Sequence, residues 1–435
     1  MKLKQLAGIL GAMALAAPGM ALATNGYFSH GYGMKSKGMA GVGIALPQDA
    51  MAAATNPAGM AFVGDRLDVG VDWFRPIRDT EIVSPFGVIP GLTGDFSGNG
   101  KKNFLVPEFG YNKMLGWNMA LGVNVYGNGG MNTTYDNGPA PFGGGIPLFN
   151  GGTGQRTGVN LEQLFIAPTF AYKINKNHAV GVSLNLAYQR FRADGLGGFA
   201  PFSMSPTNFS DRGVDSSTGW GIKLGYTGNL TDAVTVGATY QSRTRMGKFG
   251  KYKGLFAEQG DFDIPETYGI GIAVKATPKL TVAADIQHIS YGSIDSISNR
   301  MPGFPPMCLM MGTCPLGADN GPGFGWRDMT VFKLGVSYAW SDSLTLRAGV
   351  STTNQPIPKS QTLFNMVAPG VIENHLTLGA TWAVSPASEL TVAYMHAFSK
   401  KVKGSNSFVM APPGMAEANL KMYEDSLGIA YGLKF

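Results

Sequence analysis

Charged side chains are scarce in this chain: Asp, Glu, Lys and Arg make up 14% of its 435 residues, where a soluble domain carries roughly 25%. Cysteine is nearly absent, with two residues, which excludes a disulfide-built scaffold. The five histidines (His30, His178, His288, His375 and His396) never take the His-x-x-x-His or Glu-paired spacing of a metal centre. No Gly-x-Ser-x-Gly elbow stands in a strand-turn-helix context. No enzyme, metal site or cofactor is therefore expected. Clusters of Lys and Arg with interleaved aromatics are missing too, and with them the footprint of a nucleic-acid partner. Beyond residue 23 there is no run of roughly 18 apolar residues, whereas a membrane-spanning helix needs about 20.

Glycine is what the chain has in excess: 62 residues, about twice the usual share of roughly 7%. It follows no three-residue period, so collagen is excluded, and 44% hydrophobic residues exclude a disordered chain. Sparse charge, a mean hydropathy of only +0.02 and no spanning helix leave a β-rich protein, either secreted or a membrane barrel. The N-terminus decides the compartment. Lys2 and Lys4 precede an apolar run from Leu6 to Ala17, Pro18-Gly19 breaks it, and Ala21-Leu22-Ala23 forms a cleavage site. Residues 1–23 read as a secretory signal peptide, with the mature chain starting at Thr24-Asn25.

From about Leu67 the sequence alternates with period 2. At the end of the chain Leu427, Ile429, Tyr431, Leu433 and Phe435 share one face, while Ser426, Gly428, Ala430, Gly432 and Lys434 share the other. A large apolar face opposite a small polar one is the pattern of a transmembrane barrel, whose inside is wet and whose outside meets lipid. The same alternation predicts strands at 66–75, 103–112, 117–127, 161–173, 179–192, 214–229, 233–246, 264–276, 279–291, 329–339, 343–353, 374–384, 388–399 and 424–435. Short turns such as Asn175-Lys176-Asn177 and Thr277-Pro278 alternate with long connections such as 128–160 and 292–328, as expected of periplasmic turns and outer loops. The expectation is an all-β fold: a 14-stranded antiparallel transmembrane barrel over residues 66–435, in a bacterial outer membrane, and monomeric. Trp73, Trp117, Trp340, Trp382 and Tyr431 fall near strand ends, where aromatic girdles sit. The terminal Phe435 is similar to the signal read by bacterial barrel-assembly machinery.

Residues 24–65 do not alternate. Gln48 to Ala54 can form one or two helical turns, and Asn56-Pro57-Ala58-Gly59 then stops them. A barrel of this width is not filled by side chains alone, so the segment suits an internal hatch, with a periplasmic tail as the other reading. Gly31-Tyr32-Gly33-Met34-Lys35, Pro47-Gln48-Asp49-Ala50 and Ala54-Thr55-Asn56-Pro57-Ala58-Gly59-Met60 resemble the FadL/TodX (OMPP1) family of outer-membrane transporters of long-chain fatty acids and other hydrophobic compounds. The Asn56-Pro57-Ala58 triplet matches the hatch motif of that family, and the resemblance covers the whole chain.

What the resemblance implies is passive transport: capture in outer loops, a site inside the barrel against the hatch and near Thr24-Asn25, and sideways release through a kink in the third strand. Gly127-Asn128-Gly129-Gly130 supplies residues that accept such a kink, although the same residues also read as the start of a Gly-rich loop. Phase along the strands turns Arg347, Arg243, Arg245, Lys223 and Lys333 inward, with Asp68 and Asp72. Arg347, Arg243 and Lys333 are candidate partners for a cargo carboxylate, or else pair with acidic groups and the hatch. Arg190 and Arg192 continue the outward face of strand five at its outer end, at the height of lipopolysaccharide phosphates or of a solvated rim.

In the loop 292–328, Phe304, Met307, Met310, Met311 and Phe324 form a candidate capture surface, since Met adapts to varied apolar shapes; self-packing of the loop is the alternative. Cys308 and Cys314 in the same loop are expected to be disulfide-bonded in an oxidising compartment. Long-chain fatty acids are the expected cargo and aromatic hydrocarbons the alternative. A structural or adhesive barrel, or a barrel hydrolase, is the rival from another class.

Overall fold

The computed structural model describes residues 25–138, 143–408 and 412–435; the signal peptide predicted for residues 1–23 and the expected start at Thr24 lie outside the described residues. The period-2 alternation becomes fourteen wall strands: β1 (Arg66–Val83), β2 (Phe104–Leu115), β3 (Met119–Tyr135), β4 (Thr157–Lys173), β5 (His178–Asp194), β6 (Asp215–Asn229), β7 (Val234–Gln241), β8 (Thr267–Lys275), β9 (Leu280–Ile289), β10 (Met329–Ala339), β11 (Leu344–Thr353), β12 (Asn374–Ser385), β13 (Ser388–Val402) and β14 (Glu417–Lys434). Each pairs antiparallel with the next. β14 returns to β1 in unbroken register from Arg66↔Lys434 to Val83↔Glu417, so the sheet closes on itself and has no free edge. Two short additional strands, Gly94–Ser97 and Arg245–Met246, ride on β1 and β6. Among the described residues no helix is long and apolar enough to cross a membrane.

The wall is apolar outside and small or polar inside. Along β5, Val180, Val182, Leu184, Leu186 and Tyr188 are each at least 40% exposed, while Ala179, Ser183, Asn185, Ala187 and Gln189 are buried. In water each large exposed side chain would forgo part of the roughly 1.5–3 kcal/mol that its burial supplies. Lipid around the barrel removes that penalty.

Four strands depart from their predicted bounds by five residues or more, among them β14, which starts at Glu417 instead of residue 424. β1 runs on to Val83 because Phe74, Pro76, Arg78, Thr80 and Ile82 keep the inward phase, although the intervening polar residues resemble a loop. β3 runs on through Gly127–Gly130 to Tyr135. β7 stops at Gln241, and the break reverses the phase: Thr244 and Met246 are buried and Arg245 is exposed. The inward assignment of Arg245 is thereby corrected.

Residues 25–65 are largely buried against the inward face of the wall. They contain the short helices α1 (Met34–Lys37) and α2 (Ala52–Thr55), followed by a 3-10 helix, Pro57–Phe62. Asn56-Pro57 therefore starts a second helical turn instead of ending the structure. The Asn56 Oδ1 accepts from Ala58 N at 3.1 Å as an N-cap, with Pro57 at the first helical position. The segment is tied to inward-facing wall groups on many sides. Asp285 on β9 accepts from Gly43 N and Ile44 N at 2.8 and 3.0 Å. Asn112 on β2 donates to Met60 O at 2.9 Å. Lys37 pairs with Asp72 on β1 at 2.7 Å, and Lys35 with Glu389 on β13.

Asn56 itself donates from Nδ2 to Ile44 O, Tyr226 O and Thr227 Oγ1 at 2.7, 2.9 and 3.1 Å. Gly225 lets it come that close, since a Cβ there would stand 2.0 Å from Asn56 Oδ1. Asn56→Ala strands these acceptors in a buried place, at a local cost of roughly 1–3 kcal/mol. The amides of residues 40–62 are expected to exchange about tenfold faster or more in hydrogen-exchange mass spectrometry, while the wall strands exchange as before.

Candidate functional site

The wall is interrupted at one place in the ladder between β2 and β3. Their pairing starts at Leu115↔Met119 and stops at Glu108↔Tyr126, although β2 continues along β1 to Phe104↔Phe74 and β3 continues along β4 to Tyr135↔Thr157. Between Gly127 and Gly129 the register with β4 shifts, leaving Asn128 as an extra residue. A bulge of this kind bends its strand away from one neighbour. The freed edge of β3 is taken by the N-terminal segment instead. Gly130 N donates to Tyr27 O at 2.9 Å, Ser29 N donates to Asn128 O at 3.1 Å, and Phe28 bridges Gly129. Gly129 must lack a side chain here, because a Cβ would stand 1.9 Å from Tyr27 O. Further out, the loop after β1 closes the wall: Gly100 N donates to Thr134 O and Thr134 N to Gly98 O, at 2.9 and 3.0 Å.

At this gap lies a narrow pocket of about 20 Å³, lined by Gly26, Phe74, Met131, Asn132, Pro369 and Met422, with one charged side chain, Arg78. Arg78 is 2% exposed. Its Nη2 donates to Gly98 O and Lys101 O at 2.9 and 2.5 Å, while Nε and Nη1 are buried without a hydrogen-bond partner among the described residues. Glu424, one pair inward on the adjacent β14, is also fully buried and also lacks a partner for either oxygen. Unpaired buried donors of a cation cost several kcal/mol unless something accepts from them. Glu424 is the nearest buried countercharge to this guanidinium.

The N-terminal end of the segment stands at this pocket. Gly26 lines it, Asn25 O accepts from Tyr291 Oη at 2.5 Å, and Tyr27 packs among Phe28, Tyr291 and Trp326 at centroid distances of 5.2, 5.2 and 6.0 Å. The lumen cations singled out from strand phase are already engaged. Arg347 donates to Gln48 Oε1 at 2.9 Å and to Thr381 Oγ1 at 2.6 Å. Lys333 donates to His30 O, Gly41 O and Gln287 Oε1 at 3.0, 3.4 and 3.1 Å. Both hold the N-terminal segment in place. Arg243 is corrected as a lumen group: the break after Gln241 puts it at the outer rim, paired with Asp263 at 2.6 Å and Asp261 at 3.7 Å.

Arg78 was missed because the strand carrying it was drawn too short; Glu424 stood at the predicted start of the last strand, in the inward phase of Ser426 and Gly428, and was not singled out. The signal was present in the unbroken inward phase from Phe74 to Ile82. In the loop 292–328, Cys308 and Cys314 are joined by a disulfide. Phe304, Met307, Met310 and Met311 are exposed, and Phe324 packs against the core.

The Arg243 clasp carries a pH dependence. Burial, with Asp263 close by, pushes the Asp261 carboxyl up to about 6. A raised acid is favoured in its protonated form by the fold. The stabilisation is complete below the ordinary carboxylate value of about 4 and is lost as pH rises through about 6. Residues 247–266 are expected to exchange faster at about pH 7.5 than at about pH 5 after correction for intrinsic rates, and Asp261→Asn to abolish the difference.

The profile of one protein family, described as outer membrane protein transport protein (OMPP1/FadL/TodX), matches residues 12–435. No curated protein sequence matches the chain. Among solved structures, the Pseudomonas putida toluene transporter TodX is 18% identical and superposes with a TM-score of 0.67, covering 93% of this chain and 99% of that one. A Pseudomonas aeruginosa FadL homologue is 16% identical with a TM-score of 0.67, over 94% and 100% of the two chains. The Ralstonia pickettii toluene transporter TbuX is 18% identical with a TM-score of 0.62, over 93% and 99%. At such identities these structures share a fold with this chain.

Proposed function

Because the chain belongs to the OMPP1/FadL/TodX family of outer-membrane transport proteins, we propose that it carries long-chain carboxylic acids inward, passively, and releases them sideways through the break between β2 and β3. The observation that carries this reading is Arg78. Its Nε and Nη1 donors are buried without a partner among the described residues in a narrow pocket that borders the break. A carboxylate would accept from Nη1, whose donors are not used by Gly98 O and Lys101 O, in a charge-assisted hydrogen bond. The apolar tail would leave toward hydrocarbon, gaining roughly 25 cal/mol per Å² of surface removed from water. The exposed methionines and Phe304 of the loop 292–328 suit first capture of such a tail.

The alternative cargo is an aromatic hydrocarbon, since two structures of this fold are toluene transporters. Toluene has no acceptor for Arg78, which favours the acid. Assembly by barrel-insertion machinery through Phe435, and a monomeric state, complete the proposal. The test compares uptake of radiolabelled oleate and of toluene by cells with and without the protein. Oleate uptake is expected to depend on the protein. Unchanged uptake of both compounds would overturn the transport reading, and dependence of toluene alone would reassign the cargo.

A further inference from the structure

A second concavity, open to the surroundings and of about 330 Å³, lies on the outside of the barrel at the outer ends of β3, β4 and β5. Four cations line it, Lys101, Arg156, Arg190 and Arg192, against two carboxylates, Glu162 and Asp194. The outward direction follows from phase. Arg190 and Arg192 continue the row Val180 to Tyr188 on β5, and Glu162 continues the row Phe170, Ile166, Leu164 on β4. Val180 to Tyr188 covers about 26 Å of strand, or about 20 Å of membrane thickness at a usual tilt. The arginines therefore begin where the hydrocarbon band ends.

Beside them, at the same height on β4 and β3, the wall carries a polar ladder: Glu162 pairs with Arg190, Asn160 with Arg192, and Asn132 with Asn160. Asn132 Nδ2 donates to Asn160 Oδ1 at 2.8 Å, Asn160 Nδ2 donates to Glu162 Oε1 at 2.7 Å, and Arg190 stands 3.6 Å from Glu162. Arg156 and Arg192 share Asp194 at 3.3 and 2.9 Å. Each guanidinium has five N–H donors, so most remain turned outward, and the three arginine side chains are 37–47% exposed. The neighbouring concavity over β1 and β14 sets Asp79, Glu81 and Asp95 against Lys401 and Lys421.

We propose that the concavity over β3–β5 binds the phosphorylated glucosamine headgroup of an outer-leaflet lipopolysaccharide, with a phosphate on Arg190 and Arg192. Three parts of the surface match three parts of that lipid. Exposed guanidiniums suit phosphate, which they hold by paired charge-assisted hydrogen bonds. The Asn132–Asn160–Glu162 ladder suits sugar hydroxyls. The row from Tyr188 down to Val180 suits acyl chains. The bound lipid would stand at the edge of the wall break, because Gly130, which donates to Tyr27 O in the break, pairs directly with Glu162.

The purified full-length protein in detergent tests this by native mass spectrometry with bisphosphoryl lipid A, its dephosphorylated form and dodecanoate as probes. Bisphosphoryl lipid A is expected to be retained, the dephosphorylated form not. Arg190→Gln with Arg192→Gln should lower retention at least about tenfold, and Lys401→Gln with Lys421→Gln should leave it unchanged. Should the double arginine variant fail to fold, Lys101→Gln with Arg156→Gln removes two exposed charges without touching the ladder, and the same loss is expected. Equal retention of both lipid forms, or full retention by both β3–β5 variants, would overturn the proposal. Displacement of lipid A by dodecanoate at equal concentration would also overturn it, as a site for any anionic head.

Discussion

Deletion of Asn128 is expected to close the wall and stop transport in a barrel that still assembles. Asn128 is the one residue that β3 has in excess over β4 between Gly127↔Leu164 and Gly129↔Gln163. Removing it makes those pairs consecutive without reversing the phase of any residue beyond. A regular β3 can then continue its ladder with β2, carrying the register of Glu108↔Tyr126 on through Pro107 and Val106 to Phe104. Each new ladder bond contributes about 1 kcal/mol and replaces the bonds that the N-terminal segment makes to this edge of β3. Tyr27 O loses its donor and Ser29 N its acceptor on β3. Oleate uptake is expected to fall at least about tenfold, the effect of roughly 1.4 kcal/mol on the limiting step. The shift of the folded barrel on unheated gels should be kept. Unimpaired uptake in a folded variant would remove the sideways exit.

The second large effect concerns the head of the cargo. Arg78→Met keeps the apolar bulk and removes every donor. Hydrogen bonds to a charged group are worth about 1.5–3 kcal/mol, so the half-saturating oleate concentration is expected to rise roughly 10- to 100-fold. Toluene entry, if the pocket admits it, should be unchanged. Arg78 also holds Gly98 O and Lys101 O, so loosening of that loop could by itself impair uptake. Arg78→Lys separates the two roles: it keeps a charge for the carboxylate but cannot reach both carbonyls with the same fork. Partial recovery in the lysine variant supports a binding role. Equal loss in both variants, with both cargoes, would make Arg78 a purely structural residue.

Much of this molecule is local and therefore legible in sequence. Whether Leu427, Ile429 and Tyr431 point outward depends only on a backbone that alternates every residue. The even strand count and the sorting of short turns from long loops follow from the same alternation. The Asn56-Pro57-Ala58 triplet was legible as a motif. Its hydrogen bonds to Tyr226 and Thr227 join residues some 170 positions apart, and no local pattern encodes such a contact. The pocket was legible in neither way. Its walls come from β1, β3, β14, the N-terminus and the loop before β12, and Arg78 looked like loop because polar neighbours mask its phase. Arg347, Lys333 and Arg243 show the converse. Strand phase gives the direction of a side chain, but not what meets it there, and all three already hold protein partners.

By itself, then, the sequence determined a closed barrel with a greasy outside and a small, polar inside, because period-2 alternation and membrane solvation are properties of neighbouring residues. The tertiary structure alone decided where the β2–β3 ladder stops and which guanidinium keeps unused donors among the described residues. A ladder stops only where the register of two strands diverges, and a guanidinium is unpaired only when every group folded against it has been counted.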